Sequence, residues 1–318
     1  MPDPSSLDLL VDDRLAGQTL AAVLRAQIAE LSWKNARALI AARRVTIGGE
    51  VWLDPVRRLR AGERLVLLDR PAEDNPQAKR VRLVHVDRHF VVIDKPAGLR
   101  SVRHKSERSW SAQRRALVPA AEDLASDLLR RRAHASQQGG DAVRAVHRLD
   151  KPTSGLMVFA RTKLGQEKLI EQFRDRTAVR RYLAIVSGHF EPQRIVSRLV
   201  RDRGDGIRGS TTVPGQGESA ITNCGVVERR TGYTLASCQL ESGKTHQIRI
   251  HLAEAGHPVC GDPVYRQRAD GTIIPDESSA PRLALHSTEL AFTHPIDART
   301  MQWPCKLPAE LQVFWERL

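Results

Sequence analysis

The chain contains no apolar run near the roughly 18 residues that a membrane span requires. It also lacks a basic leader. The opening MPDPSSLDLLVDD is acidic, has no long apolar core and is unlike an organelle transit peptide, so a cytoplasmic protein is the expectation. Cysteine is scarce. Cys224, Cys238, Cys260 and Cys305 lie too far apart for a zinc ribbon or a CxxC redox pair. His257 and Cys260 have a metal-like spacing, but no second pair stands close by, so a buried reduced thiol is expected there and no metal. Nucleotide signatures are missing too. Gly243-Lys244-Thr245 resembles the end of a phosphate-binding loop, yet Cys238 stands where that motif needs its first glycine. His246 and His251 are five apart, which misses the spacing of a zinc-protease helix. No internal repeat is visible.

What is abundant is positive charge. Lys plus Arg number 50 against 37 Asp plus Glu, giving a formal net charge of +13 and a pI near 10.2. Such a surplus points to a polyanion, either nucleic acid or an acidic membrane surface. The second would need a basic amphipathic helix with exposed large apolar residues, and none is evident. The length of 318 residues suits about two domains, and a hydrophobic content of 41% suits a soluble globular protein.

The first 70 residues read as a small module. Leu20, Val23, Leu24, Ile28 and Leu31 repeat with a helical period over 19–31. Ser32 is placed to cap a second helix, with Trp33, Ala36, Leu39 and Ile40 on its apolar side. Lys34, Arg37 and Arg44 form a basic stripe beside that face, which for one helix alone reads as a solvated surface. In VTIGGEVW, residues 45–52, two β-rich runs flank Gly48-Gly49, a strong signal for a two-residue hairpin turn. The strand ERLVLL closes the module near 68. Residues 70–80, polar and carrying two prolines, read as a linker.

From 81 onward strands dominate. They are expected at 81–86, 90–94, 156–160, 181–187, 219–227 and 233–240, with helices near 120–132 and 163–174, the latter with Leu169, Ile170 and Phe173 inward. Without regular βαβ alternation, the expected class is α+β with a mixed, largely antiparallel sheet flanked by helices. Residues 202–217 are glycine-rich and poor in apolar side chains, so a mobile loop is expected.

Three stretches stand out chemically. HRLDKPTSG, residues 147–155, packs Asp150 among His147, Arg148 and Lys151, more charge than a turn needs. A turn or cap role for Asp150, paired with Arg148 or Lys151, is the plain alternative. RRYLAIVSG places Tyr182 on a strand, where an ordinary half-buried tyrosine would also fit. In ESGKTHQIRIHLAEAGHPVCGD, Thr245 is placed to cap a helix over 246–255 that buries Ile248, Leu252 and Ala255 and ends at Gly256. Arg249 lies one turn in, and a surface ion pair would also account for it.

SWKNARALIAARRVTIGGEV resembles the RNA-binding module first named for the fourth small-subunit ribosomal protein, over roughly 9–69. The resemblance implies RNA-backbone contacts from the second helix and following turn: Lys34, Arg37, Arg43 and Arg44. HRLDKPTSG, RRYLAIVSG, GKTHQIRIHLAEAGHPVCGD and RLALHSTELAFTHP occur in the order seen in RluA-type pseudouridine synthases, a resemblance over about 81–318. VVIDKPAG resembles the strand that opens their catalytic domain. GLRSVRH, residues 98–104, and Lys244, where arginine is usual, are departures that bear on RNA contacts.

That resemblance implies an isomerase that detaches uracil from ribose and rejoins it through carbon, with no cofactor. It assigns Asp150 as nucleophile, toward the anomeric carbon or, alternatively, the base ring. It makes Arg249 the partner that keeps the carboxylate ionised, and Tyr182 the residue stacking on the base and assisting removal of the carbon 5 proton. Arg148, Lys151 and Lys244 are expected at the RNA backbone. The expected partner of this monomer is ribosomal RNA of the large subunit, with transfer RNA as the alternative. A non-catalytic RNA-binding or ribosome-assembly factor is the rival function.

Overall fold

The computed structural model describes residues 7–72, 80–104, 107, 109–136 and 142–318. The described residues of 7–72 and 109–118 form one compact unit, and the other described residues from 80 onward form a second. Most of the expected linker lies outside the described residues.

The first unit sets α1 (Leu20–Gln27) and α2 (Trp33–Ala41) against a four-stranded antiparallel sheet. Its strands β1 (Asp8–Leu10), β2 (Val45–Ile47), β3 (Glu50–Val51) and β4 (Arg64–Leu67) run in the order β1-β4-β2-β3. Ser32 caps α2 as expected, its hydroxyl accepting from Asn35 N–H at 3.1 Å. Gly48 and Gly49 join β2 to β3 with φ of +57° and +76°, the left-handed pair that a tight hairpin turn demands. α1 is shorter than the period suggested, because Ile28 has left helical geometry and serves as its C-cap. Trp33 faces solvent instead of the core, with the Arg25 guanidinium 5.0 Å above its ring. Ala36, Ile40, Leu24, Val45 and Leu65 carry the packing. The unit also includes α3 (Ala112–Leu117).

The second unit is built on an eleven-stranded sheet. Its strands are β5 (Arg82–Val86), β6 (Phe90–Lys95), β7 (Arg144–Ala145), β8 (Ser154–Ala160), β9 (Val179–Ser187), β10 (Gln193–Val200), β11 (Gly209–Ser210), β12 (Glu218–Arg230), β13 (Tyr233–Leu240), β14 (Leu285–Thr293) and β15 (Thr300–Pro304). The main path runs β11-β10-β12-β13-β9-β14-β8-β6-β5, with β15 on β14 and β7 on β8. β8 and β14 pair in parallel, and the other pairings among the described residues are antiparallel. The α+β expectation therefore holds. Helices α4 (Ala121–Ser136), α5 (Lys163–Arg174), α6 (Gln247–Glu254) and α7 (Ala309–Arg317) complete the unit.

β8 is buried along its whole length, because α5 covers one face and the main core the other. α5 keeps its expected bounds and buries Leu169, but Ile170 is 42% exposed. Residues 202–217 are not a structureless loop. Asp202 accepts from the Gly204 and Gly206 N–H groups, Arg203 pairs with Asp205, and β11 adds to the sheet edge. Local side-chain turns supply the order that apolar content does not.

Candidate active site

The segment 147–155 is a junction of three supports. Leu149 is buried in the core and its backbone N–H and C=O both bond to the Ser101 hydroxyl, at 3.0 and 2.7 Å. The Lys151 carbonyl accepts from Gly98 N–H at 2.8 Å. Lys95 is fully buried at the end of β6, and its ammonium donates to the carbonyls of Pro96, Leu99 and Lys151. Burial pulls its pKa down to about 7 against the opposing field of Asp150. At Gly155, where β8 starts beside β14, a Cβ would stand 2.2 Å from the Ser287 carbonyl oxygen, so no other residue fits this crossing.

These supports hold Asp150 in the wall of an open cavity of about 540 Å³. Its Oδ2 lies 3.9 Å from Arg249 Nη1 and its Oδ1 lies 3.8 Å from His246 Nε2. Tyr182 comes from β9 and Arg249 from α6, and both line the same cavity. Arg249 is 4% exposed, so the surface ion pair is excluded. Its first partner, however, is not Asp150. Nε and Nη2 form a two-pronged bond to the buried Asp262 carboxylate at 2.6 and 2.7 Å, which leaves Nη1 toward Asp150. Burial would lower the Arg249 pKa, but Asp262, with Asp150 adding its field, raises it overall. The guanidinium is thus a fixed positive charge, with its planar fork locked by Asp262 and Tyr265 4.8 Å beneath it.

Tyr182 is driven up to about 12 by burial and the nearby Asp150 charge, with Arg180 and a Ser287 hydrogen bond opposing. It is a neutral phenol near pH 7, suited to stacking and poorly suited to accepting a proton. Thr245 does not cap α6. His246 occupies that position at φ +61°, without a capping bond, and the Gln247 side chain closes the turn by accepting from Lys244 N–H and the Ser242 hydroxyl. This left-handed turn brings the His246 ring toward Asp150, and its Nδ1 meets the Tyr265 hydroxyl at 2.6 Å. Ala255 is only half-buried, and Ile250, His251 and Ala253 join Ile248 and Leu252 inside instead.

The chain matches the model of the RNA pseudouridylate synthase family over residues 89–254. It is similar to the ribosomal large subunit pseudouridine synthase D of Nitrosomonas europaea, at 33% identity over 96% of this chain and 86% of that one. It is similar to the protein of the same name from Escherichia coli K12, at 30% identity over 96% and 92%. This chain belongs to the RNA pseudouridylate synthase family. The fold agrees with a solved structure, human RNA pseudouridylate synthase domain containing 4, at a TM-score of 0.59 and 22% identity over 76% of this chain and 94% of that one.

The pseudouridine synthase unit gathers some of the expected RNA contacts and scatters others. Arg148 and Lys244 line the cavity with Asp150, Tyr182 and Arg249, whereas Lys151 lies outside its lining. Lys244 pairs with Glu218. In the first unit Lys34 and Arg37 are exposed on α2. Arg43 is buried in a left-handed turn at φ +61°, and Arg44 donates its Nε to the Leu68 carbonyl at 2.7 Å. His147 is a packing residue. Its ring stacks on Phe173 at 4.5 Å, its Nε2 accepts from Val158 N–H, and burial drives its pKa to about 3. The sequence gives Lys95, Arg180, Asp262 and Tyr265 no site role, and His246 only a metal-ligand reading that its spacing rejects. Asp262 alone had a visible signal, an aspartate closing the same GHPVCGD stretch that follows Arg249.

Among the described residues no group of three His, Cys, Asp or Glu side chains is placed to hold a metal ion. None of their helices is long and apolar enough to cross a membrane. The His257 ring bonds to the Ser187 carbonyl, and Cys260 is a free buried thiol.

Proposed function

We propose that this pseudouridine synthase isomerises uridines of large-subunit ribosomal RNA, with Asp150 as nucleophile. The observation that carries the assignment is the placement of the Asp150 carboxylate in the cavity wall, flanked by a locked arginine and by Tyr182. The names of the similar proteins support the choice of RNA.

A target uridine enters only after leaving its stack, which costs a few kcal/mol. The Asp150 carboxylate attacks the anomeric carbon as the bond to N1 breaks, and uracil departs carrying the electron pair. The base turns against the Tyr182 ring, carbon 5 displaces the carboxylate, and the carbon 5 proton passes to solvent while the N1 anion takes one up, so the exchange is an isomerisation with no net gain or loss of protons. Arg249, its charge already countered by Asp262, faces the attacking oxygen without trapping it in a close ion pair. Lys34 and Arg37 on α2 add contacts to the RNA backbone that carry no sequence information.

Unmodified large-subunit ribosomal RNA transcripts, incubated with the protein and digested to nucleosides, will contain pseudouridine. Transfer RNA transcripts will not. Asp150→Asn keeps the shape and removes the attacking charge, so it will bind RNA and form no detectable product. Product from transfer RNA alone would overturn the substrate, binding without product by the unaltered protein would favour a non-catalytic factor, and turnover by Asp150→Asn would overturn the nucleophile.

A further inference from the structure

Among the described residues of the second unit, the buried lysine and arginine side chains have partners, with one exception. Lys95 gives its ammonium to three carbonyls, Arg103 pairs with Asp123 at 2.8 Å, and Arg249 grips Asp262. Arg180 on β9 is only 6% exposed, and its guanidinium makes no hydrogen bond or ion pair with any described residue. It lies 5.3 Å over the Phe173 ring, and Nε is fully enclosed without an acceptor. Burial pulls its pKa below the usual arginine value and no carboxylate offsets this. A desolvated cation without a counter-charge is expensive to keep.

Its position suggests what it is kept for. Arg180 lines the cavity and, two residues from Tyr182 on one strand, projects from the same face of the sheet. The guanidinium extends to the exposed Gly243, where a Cβ would stand 2.5 Å from Nη1. A larger residue at 243 would therefore crowd the fork. A planar fork held against a ring, with open donors, fits a phosphate oxygen pair better than a neutral uracil edge.

We propose that Arg180 is an anion subsite of the cavity that binds a phosphodiester of the RNA strand flanking the target uridine. The inference rests on RNA being the substrate of this cavity. Its ligand completes a charge that the protein leaves unpaired, so bound RNA and Arg180 stabilise each other.

The test compares the full-length protein with Arg180→Met, which keeps the contact with Phe173, and Arg180→Gln, which is shorter and neutral. Affinity for a large-subunit ribosomal RNA transcript is measured from 50 to 200 mM KCl, roughly the range over which phosphate contacts dominate salt effects, with thermal melting and pseudouridine formation alongside. Both variants are expected to melt no lower than the unaltered protein, since removing an unpaired buried charge relieves desolvation. They should bind RNA about tenfold more weakly. The log-log salt slope should flatten by about 0.7, the value for one single-strand phosphate contact. The loss should fall mainly on KM rather than kcat. A lowered melting temperature with unchanged affinity and slope would make Arg180 a packing residue and overturn the subsite. A fall in kcat with unchanged affinity would also overturn it, by placing the guanidinium on the departing base. If the unaltered protein binds the transcript without product, the substrate reading fails, while affinity and slope still decide the Arg180 subsite.

Discussion

Arg249 and Arg180 are both buried arginines in the wall of one cavity, and they differ in their counter-ions. Arg249 has Asp262 in a two-pronged bond; Arg180 has no carboxylate partner among the described residues. The paired arginine is a fixed part of the protein, oriented before any substrate arrives. The unpaired one is complete only with a ligand. The same side chain thus serves preorganisation in one place and recognition in the other, and the counter-ion decides which.

The sharpest way to break this contrast is to make Arg249 resemble Arg180. Asp262→Ala leaves a buried guanidinium without its carboxylate, and removing one partner of a buried pair costs about 3–5 kcal/mol. At roughly 2–4 °C per kcal/mol for a unit of this size, calorimetry should show a melting point lower by about 10 °C. The freed guanidinium should turn onto Asp150 and blunt its attack, so product formation should vanish even in the folded fraction. Unchanged melting would show that Asp262 does not hold Arg249.

Tyr182 lies between the two arginines in sequence and shares their cavity. Tyr182→Phe keeps the ring and removes a hydroxyl that stays protonated near neutral pH. Single-turnover kinetics should show the rate down by about 10²-fold with RNA affinity kept, the lower range of what a group positioned at a proton transfer contributes, here the removal of the carbon 5 proton. A full rate would confine Tyr182 to stacking.

The smallest effect belongs to cations that are exposed. Lys34 and Arg37 on α2 are already hydrated, so Lys34→Ala with Arg37→Ala should leave melting unchanged. Filter binding across a salt series should show the slope flattened by about one unit for each phosphate that these side chains neutralise in the unaltered protein. An unchanged slope would return the stripe to a plain solvated helix face.

Much of this was legible in the chain itself. Local rules settle local geometry: Gly48-Gly49 dictated a left-handed hairpin turn, Ser32 a helix start, and the period of 163–174 a helix with those bounds. The ordered motifs named the family and singled out Asp150, Tyr182 and Arg249, which the cavity unites. Local rules also misled where long-range packing competes. Thr245 looked like a cap, but the Gln247 side chain takes that turn and frees His246 for the cavity. Glycine content suggested a loose loop at 202–217, where carboxylates and sheet pairing impose order.

What the sequence by itself determined was the family, the candidate reactive groups and several of the local turns that present them. What only tertiary structure decided was which charges have partners. Arg249 and Asp262 are 13 residues apart and meet because the chain leaves α6 and folds back beneath it. Arg180 looks equally ordinary in sequence, beside Arg181, which pairs with Glu289. Charge pairing depends on distances of a few ångströms between segments remote in the chain, and no local pattern encodes such distances.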